Sequence, residues 1–192
     1  YFMNYHSRIP LISATTGNQG MAISYVVNEL RKIYRGIAIN LLIYVSVEAP
    51  ENKLAAMRKR GATVIECSQE GKKFLTYEEA TAAARKQASS APAGSAFFVE
   101  HAGWEAIAGY AALARAALEK MENKDNLAII IPVGAGGLAS GFALVAKMLY
   151  PGIKIILVQS RRTRHAFDSF KSGWLREYWY PDQAGVFIEN GI

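Results

Sequence analysis

The chain has 192 residues, 51% of them hydrophobic and 20% charged, with a formal net charge of +6. That is an ordinary globular balance, enough for one sizeable core or two small ones. No apolar run reaches the roughly 18 residues of a membrane span, the opening YFMNYHSR lacks the charged start and apolar block of a secretory leader, and the single cysteine, Cys67, excludes an intramolecular disulfide and fits a reducing, cytoplasmic setting.

Residues 9–13 read as a short strand, 17–20 as a turn, and 21–35 as a helix, with Ala22, Ile23, Val26, Val27, Leu30 and Ile33 at helical spacing. Residues 41–47 form a continuous apolar run, as expected of a strand buried on both faces. Pro50 opens a helix that stops at Gly61, and residues 62–66 return as a strand. Cys67 at its end is expected to be small, buried or half-buried packing rather than a nucleophile. Residues 77–88 are helical, and the Ser/Pro/Gly-rich stretch 89–95 is the best candidate for an internal boundary. Beyond it come a short strand at 96–99, a long helix at 104–121, a strand at 127–133, a tight loop at 134–137, a helix at 138–149 and a strand at 153–158. The pattern weakens after Ser160. Alternating strands and helices with short links imply an α/β fold, with parallel sheets covered by helices on both faces. The expected domains are 1–95 and 96–192.

Two strand-to-helix turns carry the chemistry. The stretch PVGAGGLASG at 132–141 places glycines where backbone N–H groups and a helix N-terminus can hold phosphate. It lacks the Lys-Ser/Thr of a P-loop and departs from the dinucleotide fingerprint, and a tight turn that uses glycine for close packing is the plainer alternative. The stretch SATTGNQG at 13–20 offers two hydroxyls, an amide and backbone N–H groups to a carboxylate or other small anion. Helix capping by Thr15, Thr16 or Asn18 is the alternative there.

Taken together, the two loops resemble those of the fold-type-II pyridoxal-5'-phosphate (PLP) enzymes, the tryptophan-synthase-β and threonine-dehydratase family. PENK at 50–53, RGATV at 60–64, YEEA at 77–80 and Gly109–Tyr110 fall in the matching order, so the resemblance covers residues 9–160. It implies a three-layer fold, with the first domain carrying the Asn loop and the second being part of the PLP-binding domain. Thr15, Thr16, Gly17 and Gln19 would bind the substrate carboxylate. Asn18 would meet the ring oxygen of PLP. Gly134, Ala135, Gly136, Gly137 and Leu138 would cradle its phosphate. Ala135 stands where a glycine is usual, and Gln19 where dehydratases often have His. The implied activity is β-elimination on a small amino acid, as in serine or threonine dehydratases and ammonia-lyases. The alternatives are β-replacement, as in threonine or cysteine synthase, and a non-catalytic relic or binding module of the fold.

The family's Schiff-base lysine precedes the Asn loop, and no lysine lies before Thr15; Lys32 comes after it. The closing FIENGI at 187–192 also resembles a segment that continues onward. The expectation is a fragment, incomplete at both ends and poor in catalysis by itself, from a protein that is commonly a homo-oligomer. His101 reads as a loop or capping residue rather than a cofactor contact. His6 and His165 lie in weakly patterned segments, and no two histidines have metal-ligand spacing. The stretch 161–180 combines five basic residues (Arg161, Arg162, Arg164, Lys171, Arg176) and two acidic ones with Phe167, Phe170, Trp174, Tyr178, Trp179 and Tyr180. Nucleic-acid or membrane contact is the rival reading. Inward packing on a helix, or surface left exposed, is preferred, and neither nucleic acid nor membrane is expected as a partner.

Overall fold

The computed structural model describes residues 10–34, 39–68, 70–100, 103–122, 124–161 and 164–176. The chain divides into two compact units, and the change of unit falls at Val99 and Glu100.

In the first unit the apolar runs become β1 (Pro10–Thr15), β2 (Asn40–Val45), β3 (Thr63–Ile65) and β4 (Phe97–Phe98), a four-stranded parallel sheet in the order β3-β2-β1-β4. β1 lies beside β2 with Pro10 opposite Asn40 and Thr15 opposite Val45. Successive side chains alternate between faces. Leu41, Ile43 and Val45 therefore pack on Val27 of α1 (Asn18–Ile33) and on Leu54 and Met57 of α2 (Glu51–Lys59). Ile12, Ala14 and Tyr44 pack on the opposite face against Phe74 and against Ala80 and Ala84 of α3 (Tyr77–Ser89). Burial there raises the pKa of the Tyr44 phenol, so it stays neutral at physiological pH. The order β3-β2-β1-β4 reverses direction at β1, and in open parallel sheets the carboxyl ends of strands at such a reversal are where ligands bind.

The second unit contains α4 (Trp104–Glu119), a 3-10 turn (Lys124–Asn126), β5 (Ala128–Pro132), α5 (Gly137–Leu149), β6 (Lys154–Val158) and α6 (His165–Ser172). β5 and β6 run parallel. Ile129 and Ile155 face a core of Ala114, Leu118, Val145, Ala146 and Ile153, while Ile130 and Ile156 point the other way and are exposed. α5 approaches α4 closely because residue 141 is glycine. A Cβ there would stand 2.6 Å from Tyr110 Cβ and 2.8 Å from the Ala111 nitrogen.

Several expectations shift. α1 starts at Asn18 rather than Met21, so Asn18, Gln19 and Gly20 form its first turn. The segment beyond Ser160 contains a helix, α6, that the weak pattern does not announce. Its aromatic side chains do not pack inward: Phe167, Phe170 and Trp174 are exposed. Tyr178, Trp179 and Tyr180 lie outside the described residues, as do His6 and His101. Cys67 is exposed rather than buried, because β3 ends at Ile65 and Cys67 is carried outward in a bridge opposite Lys73. Among the described residues no helix is long and apolar enough to cross a membrane, and no cluster of His, Cys, Asp and Glu could hold a metal ion.

Ile43, with none of its surface exposed at the centre of the sheet, sets the stability of the first unit. Ile43→Ala is expected to lower unfolding free energy by about 2–5 kcal/mol, read as a lower urea midpoint at an unchanged slope.

Candidate functional site

The first loop leaves the carboxyl end of β1. Thr15 is buried, with 3% of its surface exposed. Its Oγ1 accepts from the Gly17 N–H at 2.9 Å and from the Gly20 N–H at 3.3 Å. Gly17 caps α1 with φ of 150°, in the region that favours glycine. Space at Gly17 is also closed, since a Cβ would fall 2.5 Å from Lys53 Cδ. A Cβ at Gly20 would fall 2.7 Å from Thr15 Cγ2 and 2.8 Å from Met57 Sδ. The two glycines thus let the start of α1 settle against Thr15 and α2. Thr16 and Gln19 are half-buried, and Asn18 is exposed on the first turn. First-turn amides have no partner within a helix, and here Thr15 Oγ1 takes that of Gly20 together with the amide of the cap residue Gly17.

The second loop follows β5, anchored where the Val133 N–H donates to the Val158 carbonyl at 2.8 Å. Gly134 and Ala135 are exposed, and Gly136 is half-buried with φ of 90°. This left-handed residue turns the chain into α5, where the Ser140 N–H closes the first turn on the Gly136 carbonyl at 2.8 Å. Gly137 is buried and Leu138 half-buried at the helix start. A Cβ built at Gly134 or Gly136 would meet nothing within 4 Å. Neither glycine is required by packing, and the space beside them is open to a phosphate lying on the N-terminus of α5.

The electrostatics of the helix starts separate these two loops from the others. α2, α3, α4 and α6 carry Glu51, Glu78 and Glu79, Glu105 and Asp168 in their first turns. α1 and α5 carry no acid there. A first-turn carboxylate would complement the helix dipole from within and repel an incoming anion.

One residue at the glycine loop is not picked out by sequence reasoning. His165 Nε2 lies 3.2 Å from the Gly134 carbonyl, which can only accept, so Nε2 carries the hydrogen in that contact. Gln159 secures the approach: its Oε1 accepts from the Ala166 N–H at 3.1 Å and the Phe167 N–H at 3.4 Å, binding the start of α6. The signal available in sequence is the spacing of Gln159 and His165 after a strand, which is too common to single them out. The structure places all five residues of each predicted loop together on its own turn.

Residues 4–184 match the family model described as pyridoxal-phosphate dependent enzyme. The serine racemase of Dictyostelium discoideum is 31% identical over 169 residues, covering 88% of this chain and 47% of that protein. A biosynthetic L-threonine dehydratase of Pasteurella multocida is 31% identical over 182 residues, covering 94% of this chain and 31% of that protein. Among solved structures, the processed form of threonine deaminase isoform 2 from Solanum lycopersicum superposes with a TM-score of 0.72 at 22% identity, covering 88% of this chain and 42% of that one. That last likeness is one of fold. The chain spans about half the length, or less, of these curated relatives.

Thr15→Val keeps the shape of the side chain and removes the acceptor for two buried amides. It is expected to cost about 1–3 kcal/mol for each amide left unpaired, and to speed hydrogen exchange at Gly17 and Gly20, while Thr15→Ser retains protection at both.

Proposed function

This chain belongs to the pyridoxal-phosphate dependent enzyme family, and on that premise we propose that it supplies the substrate loop and the phosphate loop of an enzyme that eliminates a β-substituent from a small amino acid. The observation that carries this reading is the open space beside Gly134 and Gly136 at the start of a helix with no first-turn acid. It suits the PLP phosphate without displacing any packed atom. When bound, PLP serves as an electron sink for the carbanion at the substrate's Cα.

The residues of this chain bind and orient. Amides of the 134–138 loop hold the phosphate, and His165 steadies the Gly134 peptide from the side. Asn18, exposed on the first turn of α1, would be the residue that meets the ring oxygen. Thr16, Gly17 and Gln19 receive the substrate carboxylate. Thr15 is buried and its oxygen is engaged by Gly17 and Gly20, so its contribution is to hold that turn in shape. We read the first unit as the small domain carrying the Asn loop and the second as part of the large cofactor-binding domain, in a homo-oligomeric, cytoplasmic protein. Relatives named as L-threonine dehydratase and L-threo-3-hydroxyaspartate ammonia-lyase support elimination over replacement.

Absorbance titration of the 192-residue chain with PLP tests the reading. Binding that inorganic phosphate displaces is expected, with no adduct fixed to protein by borohydride. Gly136→Val forces a branched side chain into a left-handed conformation. The strain is about 1–2 kcal/mol, and PLP affinity should fall by about tenfold or more. Unchanged affinity in that variant would remove the glycine loop from the cofactor site.

A further inference from the structure

We propose that Lys53 is the counter-charge for the anion held on the 15–19 loop, a cationic ligand for the substrate carboxylate delivered from α2. The proposal rests on the reading of that loop as the carboxylate site and adds to it the charged group that selects the substrate class.

Lys53 Nζ is buried and has no hydrogen-bond partner among the described residues. The residue as a whole is half-buried, and a buried polar end without a partner is a place for a ligand's acceptor. The Lys53 side chain lies along Gly17, with Cδ, Nζ and Cε at 2.5, 3.1 and 3.3 Å from where a Gly17 Cβ would stand. Gly17 is the N-cap of α1, so the ammonium sits at the positive end of a 16-residue helix whose first turn has no acid. Two positive features meet there. Glu51, the acid on the same turn of α2, is engaged with Arg58 at 2.9 Å.

A second orphan group lies at the same edge of the sheet. Ser46 is 3% exposed, and its Oγ has no partner among the described residues. It directly follows Val45, the strand partner of Thr15, where the chain leaves β2 towards α2. Buried polar side chains are nearly always paired. Two that are not, Ser46 where the chain leaves β2 and Lys53 in the α2 helix that follows, mark a place completed by a ligand.

The ligand chemistry follows from the donors. A carboxylate presents two acceptor oxygens, enough for the ammonium on one side and further donors of the loop on the other. An amine without a carboxylate would add a third positive charge to the site. The selected class is therefore amino acids with a free carboxylate.

The test is a titration of the 15N-labelled full chain with L-serine, acetate and ethanolamine, following the amide resonances of Gly17 and Asn18. L-Serine and acetate should shift both, and ethanolamine should shift neither. Lys53→Met keeps the length of the stem and removes the charge. It should weaken L-serine binding by about tenfold or more, the usual scale for one charge-assisted hydrogen bond, and Lys53→Arg should restore most of it. Equal affinity in the Met variant would overturn the role of Lys53 and leave the loop reading intact. Absence of any loop shift in the wild type would overturn the loop reading, and this inference with it. Equal responses to ethanolamine and L-serine would overturn the carboxylate class. Should the Met variant fail to fold, the Cε resonance of Lys53 in 13C-lysine-labelled wild type decides. Movement with the loop's own dissociation constant supports the proposal, and a static resonance overturns it.

Discussion

Thr15 Oγ1 accepts two backbone hydrogens, from Gly17 and Gly20, and the arrangement of the first loop depends on that pair. A strand that ends in a helix must turn its backbone out of the sheet while leaving the first-turn amides of the helix exposed or paired. By taking the hydrogens at 17 and 20, the hydroxyl fixes the turn from which α1 starts. The brace can be this short only because Gly20 lets the helix rest on Thr15 and Met57. Met57 belongs to α2, so the same contact brings α2 close enough for Lys53 to reach Gly17. A hydroxyl, two glycines and a lysine are thus consequences of one close approach.

The glycines of the two loops answer different demands. Gly20 and Gly141 are required by space: a Cβ at either would meet other atoms at 2.9 Å or less. Gly136 is required by conformation, with φ of 90° and open surroundings. Gly17 is required by both. Gly134 is required by neither, since no positive φ is recorded for it and no atom lies within 4 Å of a built Cβ. A glycine that packing and backbone do not explain leaves open volume beside a helix start, which supports the proposal that the second loop holds a phosphate.

Much of this was legible in the sequence. Continuous apolar runs such as 41–47 announced buried parallel strands, and glycines at strand-to-helix turns announced the two loops. Three features were not legible, for separate reasons. The first turn of α1 reads as a turn because Gly17, Asn18 and Gly20 are poor helix formers, and only the long-range support of Thr15 and Met57 makes it helical. α6 is only eight residues long, too short for a pattern to be decisive, and its Phe167 and Phe170 are exposed rather than packed on a core; Gln159 and the Arg164–Asp168 ion pair hold its start. The orphan state of Lys53 and Ser46 is a property of three-dimensional surroundings, and composition treats both as ordinary surface residues. One further signal lies in the sequence: the absence of acids from the first turns of α1 and α5.

That absence suggests why two loops of similar construction differ in their charges. Gly134 and Ala135 are exposed, so an anion on the second loop can keep part of its hydration. Amide donors and the dipole of α5 are then a sufficient complement. On the first loop Thr15 and Gly17 are buried, and an anion approaching them gives up water on the side that faces the sheet. In a poorly hydrated place, helix dipole and amides recover only part of that loss, and a full opposite charge becomes valuable. An ammonium held there in advance is costly while the site is empty, and the cost is lifted when the carboxylate arrives. Storing the charge on the protein therefore converts desolvation, which would oppose binding, into preference for the one substrate group able to neutralise it.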